Sequence, residues 1–435
     1  MFFMEISQLP VAIIGGGPVG LAAAAQLVKR GQSFILFESG AQLGTNFLDY
    51  GHVRLFSTWQ YNIDEAAKEL LKQHDVPLPN PKALPYGREI AVQYLQPFGN
   101  LPEMKPFIHL NSQVVHISRK GLDKVKSIGR EERPFELLVQ QDGVVRPFQA
   151  RAVIDATGTW QQPNPLPSGG LETGDNPHVH YNIPDILGAA RSIFENKRVA
   201  IVGSGHSALN SILDLAELQK DAPNTAISWI LRRPRADSAL GGGSSDQLPA
   251  RGALCSRVGN VLEEGKMATH ASTSIVSVQV NADRSLTLIA QQNGDGVELG
   301  PFDEIIANTG SKPDFSFLRE VRYSFDPALE SVPALAPLID PNVHSCGTVR
   351  PHGEQELRQP EKDFYIIGVK SYGRAPTFLM ATGYEQARSV VAHLCGDTEA
   401  AKRVELNLPE TGVCSSRPVS FKILTPAGSG SSCCS

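Results

Sequence analysis

The chain has 435 residues, 41% of them hydrophobic and 20% charged, with a formal net charge of -5 and a pI near 6.1. That length exceeds one ordinary domain, so two or three are expected, with the composition of a soluble globular protein. The acidic balance argues against a surface for nucleic acid or an anionic membrane, and no apolar run reaches the roughly 18 residues that would span a bilayer.

Met1-Phe-Phe-Met-Glu5 carries no basic region and leads straight into an apolar segment, so no signal peptide is expected. The six cysteines, Cys255, Cys346, Cys395, Cys414, Cys433 and Cys434, show no regular spacing, which makes a cytoplasmic, reduced protein the default.

The first predicted element is the apolar run Val11-Ala-Ile-Ile14, a buried strand. Gly15-Gly-Gly17-Pro-Val-Gly20 follows as a tight turn, then an alanine-rich helix, then a second strand, Ser33-Phe-Ile-Leu-Phe-Glu38, that ends on an acid. In this βαβ pattern Gly15 lets the chain turn off the strand. Gly17 lets the backbone approach a pyrophosphate, and Gly20 lets the helix pack close to the sheet. The diphosphate belongs on the helix N-terminus. Glu38 stands where a carboxylate accepts ribose hydroxyls.

Gly44 to Trp59 reads as a loop mixing aromatic, basic and hydroxyl residues, with His52, Arg54 and Trp59 as candidate cofactor or catalytic contacts. Helix patterns follow at 63–74 and 87–95, separated by a proline-rich connection at 76–85. Alternating strands are expected at 113–117 and 135–139, with 118–134 as a hairpin tip.

Ala152-Val-Ile-Asp155-Ala-Thr-Gly158 is a strand running into a small-residue turn, and Glu304-Ile-Ile-Ala307-Asn-Thr-Gly310 matches it. Between them stands a second dinucleotide-type unit: Arg198-Val-Ala-Ile-Val202, then Gly203-Ser-Gly205-His206-Ser207-Ala208, then Ile227 to Arg232-Arg233. A unit bracketed by matching turns reads as an insertion. The expected fold is α/β, with two Rossmann-like domains. The first part of an FAD-binding domain falls at 8–160, an inserted NADPH-binding domain at 161–303, and the second part of the FAD domain at 304–398. A tail at 399–435 is expected to be flexible at least from 424.

Arg232 and Arg233 take the place that Glu38 holds in the first unit, and cations there suit a 2′-phosphate whereas an acid repels it. The first unit alone fits FAD or NAD; with NADPH claimed by the second, FAD is left to the first. Candidate cofactor-binding residues are Gly15, Gly17, Gly20, Glu38, Gly158 and Gly383 for FAD, and Gly203, Gly205, Ser207, Arg232 and Arg233 for NADPH.

Lys370-Ser-Tyr-Gly-Arg374 leads into a helix that contains Gly383. It reads as a lid on the first domain, since a glycine-rich turn feeding a helix N-terminus can stabilise the negative charge of a reduced flavin. His178, His180 and His206 are candidates for the nicotinamide or substrate side, and Arg350, His352 and Arg374 for an anionic group. The Gly- and Ser-rich tail ends in Cys433-Cys434, which with Cys414 is a candidate soft-ligand set for a metalloid; an inert end is the other reading.

With both units and both turns in place, residues 8 to 395 resemble the flavin-containing monooxygenases and their relatives. The resemblance implies FAD and NADPH as cofactors. Its chemistry would be hydride transfer to flavin, then oxygenation of a soft nucleophile through a hydroperoxyflavin. The family's fingerprint before the second unit survives only as Gly174-x-x-x-His178, with Glu172 and Asn182 at its aromatic positions. No cysteine pair follows the first unit, which argues against the disulfide-reductase branch.

A closer likeness is to flavoproteins of bacterial arsenic-resistance clusters, carried by Gly241-Gly-Gly, Leu248-Pro-Ala-Arg-Gly-Ala-Leu, His344-Ser-Cys-Gly-Thr-Val-Arg-Pro-His352, Lys370 to Phe378 and Leu408-Pro-Glu-Thr-Gly-Val-Cys414. It implies oxidation of trivalent arsenicals such as methylarsenite by O2, with a small-molecule substrate as the partner. The alternatives are a metalloid or small-thiol reductase that uses the tail cysteines, and a flavin-binding redox sensor.

Overall fold

In chain order the strands are β1 (Val11–Ile14), β2 (Phe34–Phe37), β3 (Ile108–His109), β4 (Gln113–Arg119), β5 (Phe135–Gln141), β6 (Val144–Ala150), β7 (Ala152–Asp155) and β8 (Val179–Tyr181). They continue as β9 (Arg198–Val202), β10 (Ala226–Ile230), β11 (Met267–His270), β12 (Thr273–Val280), β13 (Leu286–Gln292), β14 (Asp295–Phe302), β15 (Glu304–Ala307) and β16 (Phe364–Ile366). The helices used below are α1 (Pro18–Lys29), α2 (Glu65–Gln73), α3 (His206–Asp221), α4 (Pro249–Glu263) and α5 (Met380–Leu394). This computed structural model describes residues 5–171, 174–240, 249–343, 349–375 and 378–406.

Two five-stranded sheets with parallel pairing organise the chain, in the orders β16-β7-β1-β2-β3 and β11-β10-β9-β15-β8. Their central strands are continuous apolar runs because helices cover both faces; β1 is buried at all four residues. Each sheet carries a three-stranded antiparallel companion, β4-β5-β6 and β12-β13-β14. There the apolar residues alternate, as one-sided burial requires: Phe135, Leu137 and Val139 point inward in β5, and Leu286, Leu288 and Ala290 in β13. No helix among the described residues is long and apolar enough to cross a membrane.

Sheet membership moves one expected boundary. β15 pairs with β9 in the second sheet, and the first sheet takes its last strand from β16 beside β7. The chain therefore returns to the first sheet after residue 310, not at 304. The two crossings run side by side: Asn164 N–H donates to the Gly310 carbonyl at 2.9 Å and Lys312 N–H to that of Gln162 at 2.9 Å.

Two further expectations shift. The helix pattern at 87–95 becomes a π-helical turn, Ile90–Leu95, followed by Gln96–Gly99, since Pro97 has no N–H to continue an α register. The body also runs past 399. Thr398–Lys402 is a short helix that buries Ala400 and Ala401, and Arg388 donates to the Ala400 carbonyl at 2.7 Å.

Candidate functional site

The two glycine turns are built alike. Gly15 N–H donates to the Phe37 carbonyl at 2.8 Å and Gly203 N–H to that of Ile230 at 3.1 Å. Both glycines sit at positive φ, +106° and +134°, and a Cβ there would run into the carbonyl oxygen of Ala156 or Asn308 on the neighbouring strand end. A Cβ on Gly20 would overlap the Gly15 carbonyl oxygen, so its absence sets the approach of α1 to the turn. Ala208 takes that place in α3 and is fully buried.

Gly17 and Gly205, the N-cap residues of α1 and α3, are different. A Cβ on either would meet nothing within 4 Å, and neither helix start has a side-chain cap. Each turn thus presents bare backbone and the N–H groups of a first helical turn, the arrangement that suits a phosphate. The residues present fit a dinucleotide at both places.

The electrostatics differ as expected from sequence. The half-buried Glu38 carboxylate accepts from Gly16 N–H at 2.6 Å and Gly40 N–H at 2.7 Å, which ties the turn to the end of β2. Each oxygen keeps accepting capacity. Arg232 and Arg233 are exposed beyond the buried Leu231, and Arg233 Nη1 donates to the Ser238 carbonyl at 2.9 Å. Ser207 lies in the first turn of α3, and its carbonyl accepts from Ser211 Oγ at 3.2 Å.

The loop at 51–59 joins the units. Phe56 packs on His206, the first residue of α3, with ring centroids 5.1 Å apart. Burial holds the basicity of the His52 ring below the ordinary histidine value, despite the opposing influence of the nearby Asp185 carboxylate and the Pro184 carbonyl. Arg54 is exposed beside the Tyr86 ring, 5.8 Å from its centroid. Trp59 is a core residue instead, 3% exposed. Gly158 sits at φ +72° in the turn after β7, while a Cβ on Gly383 would run into Val19 of α1, so Gly383 serves helix packing.

Several candidates lie elsewhere. His178 and His180 both bond Glu304, at 3.0 and 2.6 Å. Glu304 is the first residue of β15, so the group marks the opposite end of the sheet from the turns. His352 is buried between Gln386, at 2.9 Å, and the Arg350 carbonyl, at 3.1 Å. Arg374 is committed to Glu330 at 2.7 Å and Asn164 at 3.0 Å.

The turn expected to form a lid is anchored in the interior at its first residue. Lys370 is fully buried, its Nζ 2.6 Å from Asp155 Oδ2, and both side chains are 0% exposed. Nζ also reaches Thr157 Oγ1 at 3.1 Å and lies 4.5 Å from the Phe317 ring centroid. Cys414, Cys433 and Cys434 fall outside the described residues, among which no group of three His, Cys, Asp or Glu side chains is placed to hold a metal ion. The Asp155–Lys370 pair was missed from sequence; an acid at the end of an otherwise apolar strand was the available sign of it.

Comparison with known proteins gives a consistent picture. A family model described as pyridine nucleotide-disulphide oxidoreductase matches residues 12–338. Flavin-containing monooxygenase 1 of Rattus norvegicus is 26% identical over 234 residues, 51% of this chain and 41% of that protein, so the match spans less than half its length. Ferredoxin--NADP reductase of Enterococcus faecalis is 24% identical over 386 residues, 88% of this chain and 89% of that one. Among solved structures, bacillithiol disulfide reductase from Bacillus cereus superposes with a TM-score of 0.66 at 18% identity, covering 89% of this chain and 99% of its own.

Proposed function

The chain belongs to the pyridine nucleotide-disulphide oxidoreductase family, and on that premise we propose that it is an FAD- and NADPH-dependent monooxygenase. The observation that carries this reading is the charge contrast between two like-built turns, Glu38 on the first and Arg232-Arg233 on the second. FAD belongs to the Gly15, Gly17, Gly20, Glu38 and Gly158 side, NADPH to Gly203, Gly205, Ser207, Arg232 and Arg233. The N–H groups opening α1 and α3 take the two diphosphates. The spare lone pairs of Glu38 accept ribose hydroxyls, and the exposed arginines take the 2′-phosphate. Bound FAD would accept electrons from NADPH and pass them to O2.

The protein's part is to hold the two nucleotides against each other across the 51–59 loop, where Phe56 meets His206. No side-chain nucleophile is needed if the substrate brings its own lone pair. A trivalent arsenical such as methylarsenite does so. The decisive assay is product analysis. Methylarsenite should be converted to the pentavalent form with an oxygen atom from labelled O2, and NADPH consumption that neither responds to arsenicals nor yields that product would sink the proposal.

A second reading is reduction of a small disulfide or a metalloid through Cys433 and Cys434, with Cys414 as a third ligand. The family and the fold shared with a bacillithiol disulfide reductase favour it. Cys433→Ser with Cys434→Ser separates the two. Delivery through the tail predicts lost turnover, whereas oxygenation of a small soluble substrate predicts little change.

A further inference from the structure

At the C-terminal end of α1, away from the glycine turn, a cleft of about 630 Å³ opens between that end of α1, the start of α2 and one face of α5. Its size suits a small molecule, and its lining includes none of the residues assigned above to FAD or NADPH. Ile63, Ala66 and Ala381 supply apolar wall.

The charged side chains of the lining pair with one another and leave two groups over. Lys29 meets Glu69 at 2.6 Å and Lys68 meets Glu65 at 3.0 Å. Arg388 takes Glu385 at 2.7 Å and Glu405 at 3.7 Å. Asp64 and Arg30 also line the cleft, and among the described residues neither has an ion-pair partner. Arg30 Nη1 donates to a neutral acceptor, Gln26 Oε1, at 2.7 Å, which leaves most of the half-buried guanidinium fork uncommitted. The Asp64 carboxylate caps α2, its Oδ1 accepting from Ala67 N–H at 2.9 Å, and the Tyr94 hydroxyl meets the Asp64 main-chain N–H at 3.2 Å, not the carboxylate. Asp64 is only 4% exposed. Its raised carboxyl is the mark of a buried acid without a counter-cation, with small opposing influences from Glu65 and Lys29.

One acid and one guanidinium, left over in a cleft where every other charge is matched, fit a ligand that carries both opposite charges. We propose that this cleft binds a zwitterionic amino carboxylic acid, its ammonium on Asp64 and its carboxylate on Arg30. The apolar wall between takes the carbon chain that joins them. The site is separate from both nucleotide turns and rests on neither cofactor assignment.

The test is calorimetric titration of the FAD-loaded full-length protein with glycine, 4-aminobutyrate and 6-aminohexanoate, which sample three charge separations. At least one should bind with a Kd below about 1 mM. It should bind at least about tenfold tighter than the alkylamine or the alkanoate of the same chain length, because each charge-assisted contact contributes about that factor. Asp64→Asn should reduce its affinity to that of the alkanoate and leave the alkanoate unaffected. Arg30→Gln should reduce it to that of the alkylamine and leave the alkylamine unaffected. The flavin spectrum of each variant reports that it is folded. No binding of any of the three by wild type, equal affinity for the zwitterion and its singly charged counterparts, or unaltered affinity in either variant overturns the proposal. These outcomes are read without NADPH, so they stand apart from the success or failure of the NADPH reading.

Discussion

Replacing Lys370 with methionine removes the cation from a fully buried pair while keeping most of the side-chain length. Asp155 would be left with Thr157 N–H and Oγ1 on its Oδ1, at 3.1 and 2.8 Å, and nothing on Oδ2, which Lys370 now meets at 2.6 Å. An uncompensated buried charge costs about 3–5 kcal/mol. The lost contact with the Phe317 ring, 4.5 Å away, adds about 1 kcal/mol. Denaturant unfolding of the cofactor-free protein should register a loss of about 4–6 kcal/mol for Lys370→Met. Adding Asp155→Asn removes the stranded charge and leaves one unmatched amide N–H, a cost of about 1–2 kcal/mol. The double variant should therefore be more stable than the single one, with a coupling energy of at least about 2 kcal/mol. A single-variant loss under about 1 kcal/mol, or additive losses, would refute the reasoning.

Burial pushes the Asp64 carboxyl up from 3.8 to about 7, so between those values the folded state binds the extra proton. Stability then falls as pH rises through this window, by about 1.4 kcal/mol per pH unit from this group. Asp64→Asn removes the effect and keeps an oxygen for the Ala67 N–H, so its advantage over wild type should grow from about pH 4 to about 7 and then level off. Parallel stability profiles would contradict this. Gly17→Ala should change stability by less than about 0.5 kcal/mol yet weaken FAD at least about tenfold, because only the ligand needs that bare backbone. Gly20→Ala should cost about 1–3 kcal/mol in the apoprotein by overpacking, read by the same unfolding assay. Arg232→Ala with Arg233→Ala should raise KM for NADPH by about tenfold or more while leaving NADH nearly unaffected, since each charge-assisted bond contributes about 1.5–3 kcal/mol.

What the sequence made legible was local. A positive-φ glycine after four buried apolar residues, an alternating strand and a charged strand end are each written within a few positions, and the paired units follow from them. The misplaced boundary at 304 has a plain cause: Asp155-Ala-Thr-Gly158 and Ala307-Asn-Thr-Gly310 look alike locally, and only pairing tells that one turn leaves the first sheet and the other the second. The sequence offered Lys370 only as the start of a lid turn, because its partner Asp155 lies 215 positions away in the chain. His178 and His180 were candidates by residue type, but Glu304, which claims both, is more than a hundred residues distant and at the far end of the sheet.

The central claim is that one chain holds FAD on the Glu38 turn and NADPH on the Arg232-Arg233 turn. Anaerobic titration of the FAD-loaded protein with NADPH tests it most directly. The account predicts bleaching of the flavin absorbance that is complete near one equivalent of NADPH per FAD, with NADH far slower. Flavin that stays oxidised with excess NADPH, or is reduced equally fast by NADH, would contradict it.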